Sequence, residues 1–264
     1  MKKNLFSMLV ISVLALAFVG CANPAGENNA GGSTGGSSYS AKYAVGDIIL
    51  NDGSKVNYET AKNYTGNDLD ELKSKAIAVI FRANTASKKA LGVGLKHSSS
   101  GLAWCTKDAN ACNKNIETIK CPATGSAGNL TFTDDTDGSD NLEQIASFLT
   151  TAGMENDTTD ASKYPAFYFA KNYKNTATNL GAAYENGWYF PTVAELFDIW
   201  KVKATVDAAS SLCGGSQFGT RWYWSSSQYA FHGDFACLLI FGNGDLGSGD
   251  KAYVSYVCAV RAFN

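Results

Sequence analysis

The amino-acid sequence predicts an α+β domain built mostly of antiparallel strands, with a few helices and long irregular loops. Three observations carry this. Asn51-Asp52-Gly53 is a hairpin turn signal between two strand-like segments, Ala44 to Leu50 and Ser54 to Tyr58. Thr192 and Glu195 form a Thr-x-x-Glu capping box ahead of an apolar helix face made of Leu196, Ile199 and Trp200. Val257 to Phe263 closes the chain as a strand with apolar residues on both faces, the pattern of a strand inside a sheet. Arg261 within it then needs a half-buried partner.

The chain begins with a short basic segment, Met1-Lys2-Lys3, followed by an apolar run from Leu5 to Val19. The run is shorter than the roughly 20 apolar residues of a membrane-spanning helix, and it fits the apolar region of a secretory signal. Phe18-Val19-Gly20-Cys21 resembles a lipobox, in which small residues precede a cysteine whose thiol takes a diacylglycerol; Phe18 departs from the usual Leu. Residues 1–20 are expected to be a lipoprotein signal peptide and Cys21 the lipidation site. The alternative is an ordinary signal peptide with an incidental cysteine. Acyl chains contribute about 0.8 kcal/mol per buried CH₂, so more than one chain gives stable anchoring. Residues 21–42 are nearly all small or polar up to Ser40 and cannot bury enough apolar surface to offset ordering, which predicts a lipidated flexible tether. Residues 43–264 are long enough for one domain with a substantial core.

After the first hairpin, Leu69 to Lys75 reads as a short helix. Ile77 to Phe81 is a continuous apolar run that suits a buried strand, and Leu91 to Leu95 looks like its partner. Cys105 to Asp140 is polar and reads as a long excursion. Leu142 to Thr150 has helical spacing, with Ile145, Phe148 and Leu149 on one side. Ala166 to Tyr173 is aromatic and is expected to pack inward. Arg221 to Trp224 is an aromatic strand that Ser225-Ser226-Ser227 closes, and Asn243-Gly244 is a turn signal.

A formal net charge of -2 with scattered basic residues argues against a nucleic-acid surface. Cys21 aside, Cys105, Cys112, Cys121, Cys213, Cys237 and Cys258 form an even set, which in an exported chain suggests disulfides of unspecified connectivity. A local bridge among Cys105, Cys112 and Cys121 is one possibility. They do not make a zinc site, because the spacings are long and neither His97 nor His232 is close in sequence.

Three segments in order carry a resemblance: Gly187 to Leu196, then Trp222 to Ser227, then Val260 to Phe263. Together they resemble the C-type-lectin-like fold, in the branch shared with formylglycine-generating enzymes and bacterial surface lipoproteins. With the lipobox and the ending Val257 to Phe263, the chain is most similar to the variable proteins of diversity-generating retroelements. In that family an error-prone reverse transcriptase rewrites adenines in a C-terminal cassette, and the fold displays the altered residues as a ligand-binding surface. The resemblance covers roughly the last third of the chain.

The residues themselves bear on that implication. Asn codons mutated at adenine end in a pyrimidine and cannot encode Met, Trp, Gln, Lys or Glu. Between Tyr229 and Val257 only Lys251 lies outside the permitted set, where composition alone would place about four such residues. The window about 229–257 also holds alternating Cys237 to Phe241, in which Leu239 and Phe241 share one face and Leu238 and Ile240 the other. If the first face meets the core, the second is an exposed contact surface; a strand buried on both sides is the alternative. The expected ligand-binding residues are Phe231, His232, Gly233, Asp234, Phe235, Leu238, Ile240, Gly242, Asp245, Leu246, Ser248, Asp250, Tyr253 and Ser255. Trp222 to Ser227 and Cys258 to Phe263 are expected to be fixed scaffold. His232 is expected to be a contact residue.

Rival classes fit less well. Formylglycine-generating enzymes use a close pair of redox cysteines, and Cys237 and Cys258 are far apart in sequence. Related sulfoxide synthases use a histidine-rich iron site, which two separated histidines do not supply. Calcium-dependent sugar binding lacks its Glu-Pro-Asn type of signature. Thr133 to Gly138 resembles the opening of a calcium loop but lacks the first Asp and the Glu at the twelfth position. Glu195 reads as a cap and not as a catalytic acid. The expectation is therefore a non-enzymatic binding protein without cofactor or metal. It would be anchored through Cys21 at the outer membrane and cell surface, as a monomer that binds a protein ligand and no nucleic acid. The alternatives are an invariant lipoprotein of the same fold or an enzyme of the formylglycine-generating type.

Overall fold

A computed structural model describes residues 40–264. The export signal, Cys21 and all but the last three residues of the expected tether lie outside the described residues. β1 (Asp47–Leu50) and β2 (Lys55–Asn57) form the first hairpin, with Gly53 in the left-handed region at φ 89°. α1 (Tyr58–Ala61) and α2 (Gly66–Lys75) lead into β3 (Ala76–Arg82), which is buried along nearly its whole length and pairs antiparallel with β4 (Ala90–Gly94).

The polar stretch that follows is more ordered than its composition suggests. It contains β5 (Leu102–Ala103) and a small hairpin of β6 (Ala123–Ser126) and β7 (Asn129–Phe132). α3 (Asn141–Thr151) buries Leu142, Ile145 and Leu149, as its spacing predicts. The aromatic segment after it is helical: α4 (Pro165–Lys171), with Pro165 at its start, where the missing N–H costs nothing. β8 (Trp188–Tyr189) precedes α5 (Val193–Lys201), and the capping box is complete, with Thr192 Oγ1 accepting from Glu195 N at 3.2 Å and Glu195 Oε2 accepting from Thr192 N at 2.9 Å. α6 (Lys203–Leu212) follows. The end of the chain supplies β9 (Trp222–Gln228), β10 (Phe235–Ile240), β11 (Asp245–Asp250), β12 (Val254–Ser255) and β13 (Val260–Phe263).

The strands form a six-stranded sheet in the order β2-β1-β3-β4-β13-β8 and a three-stranded sheet in the order β11-β10-β9. Every paired strand in them is antiparallel. The α+β class read from the sequence is the class observed, with β13 inside its sheet. Arg261 finds its partners in backbone carbonyls, donating to Asn186 O at 2.9 Å and Ala183 O at 3.0 Å.

Two apolar cores run through the domain, because strands buried on both sides send alternate side chains to opposite faces. α3 and α4 close one core, with Phe167, Tyr173, Trp104, Trp224 and Leu238 inside it. α5 and α6 close the other, with Leu196, Phe197, Tyr223, Leu239 and Phe241. Ser225-Ser226-Ser227 do not close β9. They lie within it, fully buried, and each hydroxyl is paired: Ser225 Oγ donates to Cys237 O at 2.8 Å, Ser226 Oγ accepts from Asn141 Nδ2 at 2.8 Å, and Ser227 Oγ accepts from Val193 N at 3.1 Å. Ser226 and Ser227 thus tie the small sheet to the N-termini of α3 and α5, while Ser225 ties β9 to β10.

Candidate binding surface

The permissive window maps onto β10, β11 and the loops around them. Asn243-Gly244 makes the β10–β11 turn, with Gly244 at φ 69° and its Cα against the Trp200 ring. β11 is the outer strand, and small residues are required on it. A Cβ at Gly247 would lie 2.3 Å from Leu238 Cδ1, and one at Gly249 would lie 3.0 Å from Trp224. Large side chains on β10 and β9 fill the space that the glycines leave.

Leu238 is not part of an exposed surface. Its side chain packs beside Trp224 in the first core, while Leu239 and Phe241 enter the second. β10 lies between β9 and β11 with helix-backed cores on both faces, so alternation separates its residues between two interiors and not between interior and water. Ile240 and Leu246 are half-buried, as are Phe235, Gly233, Asp234, Asp245, Asp250 and Ser255, whereas His232, Gly242 and Ser248 are exposed.

The strongly exposed apolar groups are Phe231 (79% exposed), Val254 (67%), Tyr253 (66%) and Trp222 (53%). Trp222 and Val254 escaped the sequence reading, Trp222 because it was grouped with the scaffold. Strand alternation puts Trp222 on the face of Trp224, but at the end of the strand, where the core has run out. A Trp-x-Trp at a strand start was the available signal.

These groups form two clusters and not one patch. At one end Tyr229, Phe231, His232 and Phe235 pack ring against ring, with centroids 5.4 Å apart for Tyr229–Phe231 and for His232–Phe235. At the other end Ser255 Oγ donates to Trp222 O at 2.7 Å and Trp224 Nε1 donates to Tyr253 O at 3.3 Å, which lays residues 253–255 along the start of β9. The register pairs Phe235 with Asp250 and Ile240 with Trp222, so the clusters sit at opposite ends of β10, roughly 17 Å apart at the usual strand rise.

Lys251, the one window residue outside the permitted set, is fully buried. Its Nζ donates to Gly233 O at 2.7 Å, Gln228 Oε1 at 3.1 Å, and Ala111 O and Lys114 O, each at 3.2 Å. Its ammonium also lies 4.6 Å from the centre of the Trp104 ring. Burial pulls its pKa down to about 8. One side chain thereby joins the base of the Phe231 loop, the end of β9 and the cysteine-bearing loop before β6.

The six cysteines of the described residues are all buried thiols, so the expected disulfides are not formed in this structure. His97 is buried beside Phe218, its Nδ1 2.7 Å from Tyr223 Oη, and burial, with nearby Arg221, pushes it down to about 3. A cleft of about 590 Å³ lies elsewhere, lined by Arg82, Lys88, Lys89, Trp188, Tyr189 and Glu195. Burial raises Glu195 to about 7, but its oxygens are occupied by Tyr189 Oη at 2.7 Å, Thr192 N at 2.9 Å and Gly138 N at 3.2 Å. It therefore acts as a helix cap. Among the described residues no group of three or more His, Cys, Asp or Glu side chains is placed to hold a metal ion.

No family model matches the chain, and no curated protein matches it. Among solved structures it is similar to a fimbrial protein from Bacteroides ovatus, with a TM-score of 0.54 and 14% identity over 84% of this chain and 49% of that one. The chain spans about half the length of that protein. The likeness is one of fold.

Proposed function

We propose that the chain is a lipid-anchored surface protein of the C-type-lectin-like type, which displays a ligand-binding surface diversified by a retroelement. It acts by binding a protein and not by catalysis, as a monomer and without cofactor. The observation that carries this reading is the contrast within one window. Phe231, Tyr253 and Val254, with Trp222 just outside it, stand in solvent, while Lys251 holds the frame beneath them with four hydrogen bonds. Exposed aromatic groups among small polar residues serve recognition, and an ordered frame lowers the ordering cost of binding. Asp234, Asp245 and Asp250 add acidic groups, and the window's only lysine is buried, so a basic partner surface fits best. The similarity of fold to a fimbrial protein agrees with a place at the cell surface.

The test is the neighbouring DNA and its products across many isolates. The expected result is a near-copy of the last cassette, differing at adenines, beside a reverse-transcriptase gene. Differences should fall on exposed positions such as Phe231, His232 and Tyr253 and spare Lys251 and Leu238. A locus with neither element, and a window identical in every isolate, would replace this reading with that of an invariant lipoprotein.

A further inference from the structure

We infer that Cys105 and Cys112 are a modification site, joined by a disulfide in the protein exposed to a disulfide oxidant. Sequence leaves the pairing of the cysteines open, and the structure singles out this pair. Successive turns, Ala109 N to Thr106 O at 3.1 Å and Cys112 N to Ala109 O at 3.0 Å, fold the segment back on itself. Cys105 and Cys112 thereby enter the same core as neighbours, with their thiols facing each other. The other thiols are turned elsewhere. Cys121, Cys213, Cys237 and Cys258 belong to the second core, away from this pair, and there Cys237 Sγ donates to Gln228 O at 3.6 Å.

The surroundings suit the chemistry. Cys112 is 4% exposed and lies next to exposed Asn113, at the outer side of the core. The facing Cys105 thiol, and the Lys251 charge nearby, favour the thiolate of Cys112. That thiolate attacks one sulfur of a small disulfide such as oxidised glutathione, and a glutathione thiolate leaves. Cys112 then carries no negative charge, so the feature that held the proton on Cys105 is gone. Cys105 gives its proton to solvent, attacks the Cys112 sulfur and displaces nothing but the second glutathione. The protein loses two hydrogens, and the oxidant's sulfur–sulfur bond is reduced to two thiols. The closed loop lies directly under Lys251, which donates to Ala111 O and Lys114 O, so the bond would fix the base on which the Phe231 loop stands.

The full chain is equilibrated with oxidised glutathione, quenched in acid, unfolded and alkylated with and without prior reduction, and its peptides are mapped. The expected result is a Cys105–Cys112 link, with Cys121, Cys213, Cys237 and Cys258 alkylated without reduction. Melting should fall on adding reductant, and Cys112→Ser should melt alike with and without it. Cys105 and Cys112 recovered as free thiols, or linked to other cysteines, would overturn the assignment. The experiment supplies its own oxidant, so its outcome is independent of whether the chain is exported.

Discussion

Lys251 Nζ donates to Gln228 Oε1 at 3.1 Å, and both side chains are fully buried. The pair links the strand that enters the permissive window to the turn that leaves it. Gln228 also accepts from Ile116 N at 3.2 Å and donates to Asn115 Oδ1 at 3.0 Å, so the contact belongs to a network reaching the loop before β6. Replacing Lys251 with Met keeps most of the volume and takes this donor from Gly233 O and Lys114 O, each costing about 1–3 kcal/mol when left unpaired, while Gln228 Oε1 keeps Ile116 N and Ala111 O keeps Lys114 N. Relief of the buried charge offsets part of this. Lys251→Met is expected to lose about 3 kcal/mol or more in denaturant unfolding. A change under about 1 kcal/mol would show that the network is not a structural tie.

Exposed and buried members of the window should behave oppositely. Phe231→Ala, Trp222→Ala and Tyr253→Ala should each shift stability by about 0.5 kcal/mol or less. Leu238→Ala, which empties a space in the first core, should cost about 2–5 kcal/mol. Chemical denaturation of the four variants checks both. A large loss at Phe231 would make the tip part of the fold and not a contact surface.

Glu195 and His97 give pH effects of opposite sign. Burial raises Glu195 from 4.5 to about 7, so the folded state favours its acid form. That contribution is complete below pH 4.5 and is lost as pH rises through 7. His97 is depressed from 6.5 to about 3, so its contribution is complete above 6.5 and is lost as pH falls toward 3. Glu195→Gln retains an acceptor for the two amides and a polar group for Tyr189 Oη, and should flatten the fall in stability between pH 5 and 8. Melting curves across pH for both proteins test this, and an unchanged slope would mean that Glu195 is ionised throughout.

Cys21 tests the anchor. Cys21→Ser should move the chain out of the membrane fraction and out of the detergent phase. Partitioning identical to the native chain would remove lipid on Cys21 from the account.

What the sequence made legible, and what it did not, follows from the kind of signal each element carries. The Asn51-Asp52-Gly53 hairpin, the apolar run of β3 and the capping box of α5 are local signals, and each appears where local chemistry puts it. α6 was missed because Lys203 to Leu212 is rich in small and polar residues and buries only Val206, Ala209 and Ser210. β6 and β7 were missed because Ala123 to Ser126 and Asn129 to Phe132 are short and mostly polar. Leu238 shows a different limit. Alternation assigns faces, but only tertiary structure says what covers them. Lys251 was visible as an anomaly of the window, yet the four oxygens that account for it come from the loop before β6, the end of β9 and the base of the Phe231 loop.

The outer strand β11 has a further consequence. Its free side offers unpaired backbone along Gly247, Ser248 and Gly249, and an open strand invites a second copy to extend the sheet. Asp245 and Asp250 stand at its two ends, and in an antiparallel docking each would face the like charge of its neighbour. That like-charge contact would disfavour self-association through this edge. Under the proposed function, molecules crowded side by side could then change the apolar residues they present without clumping into fibres.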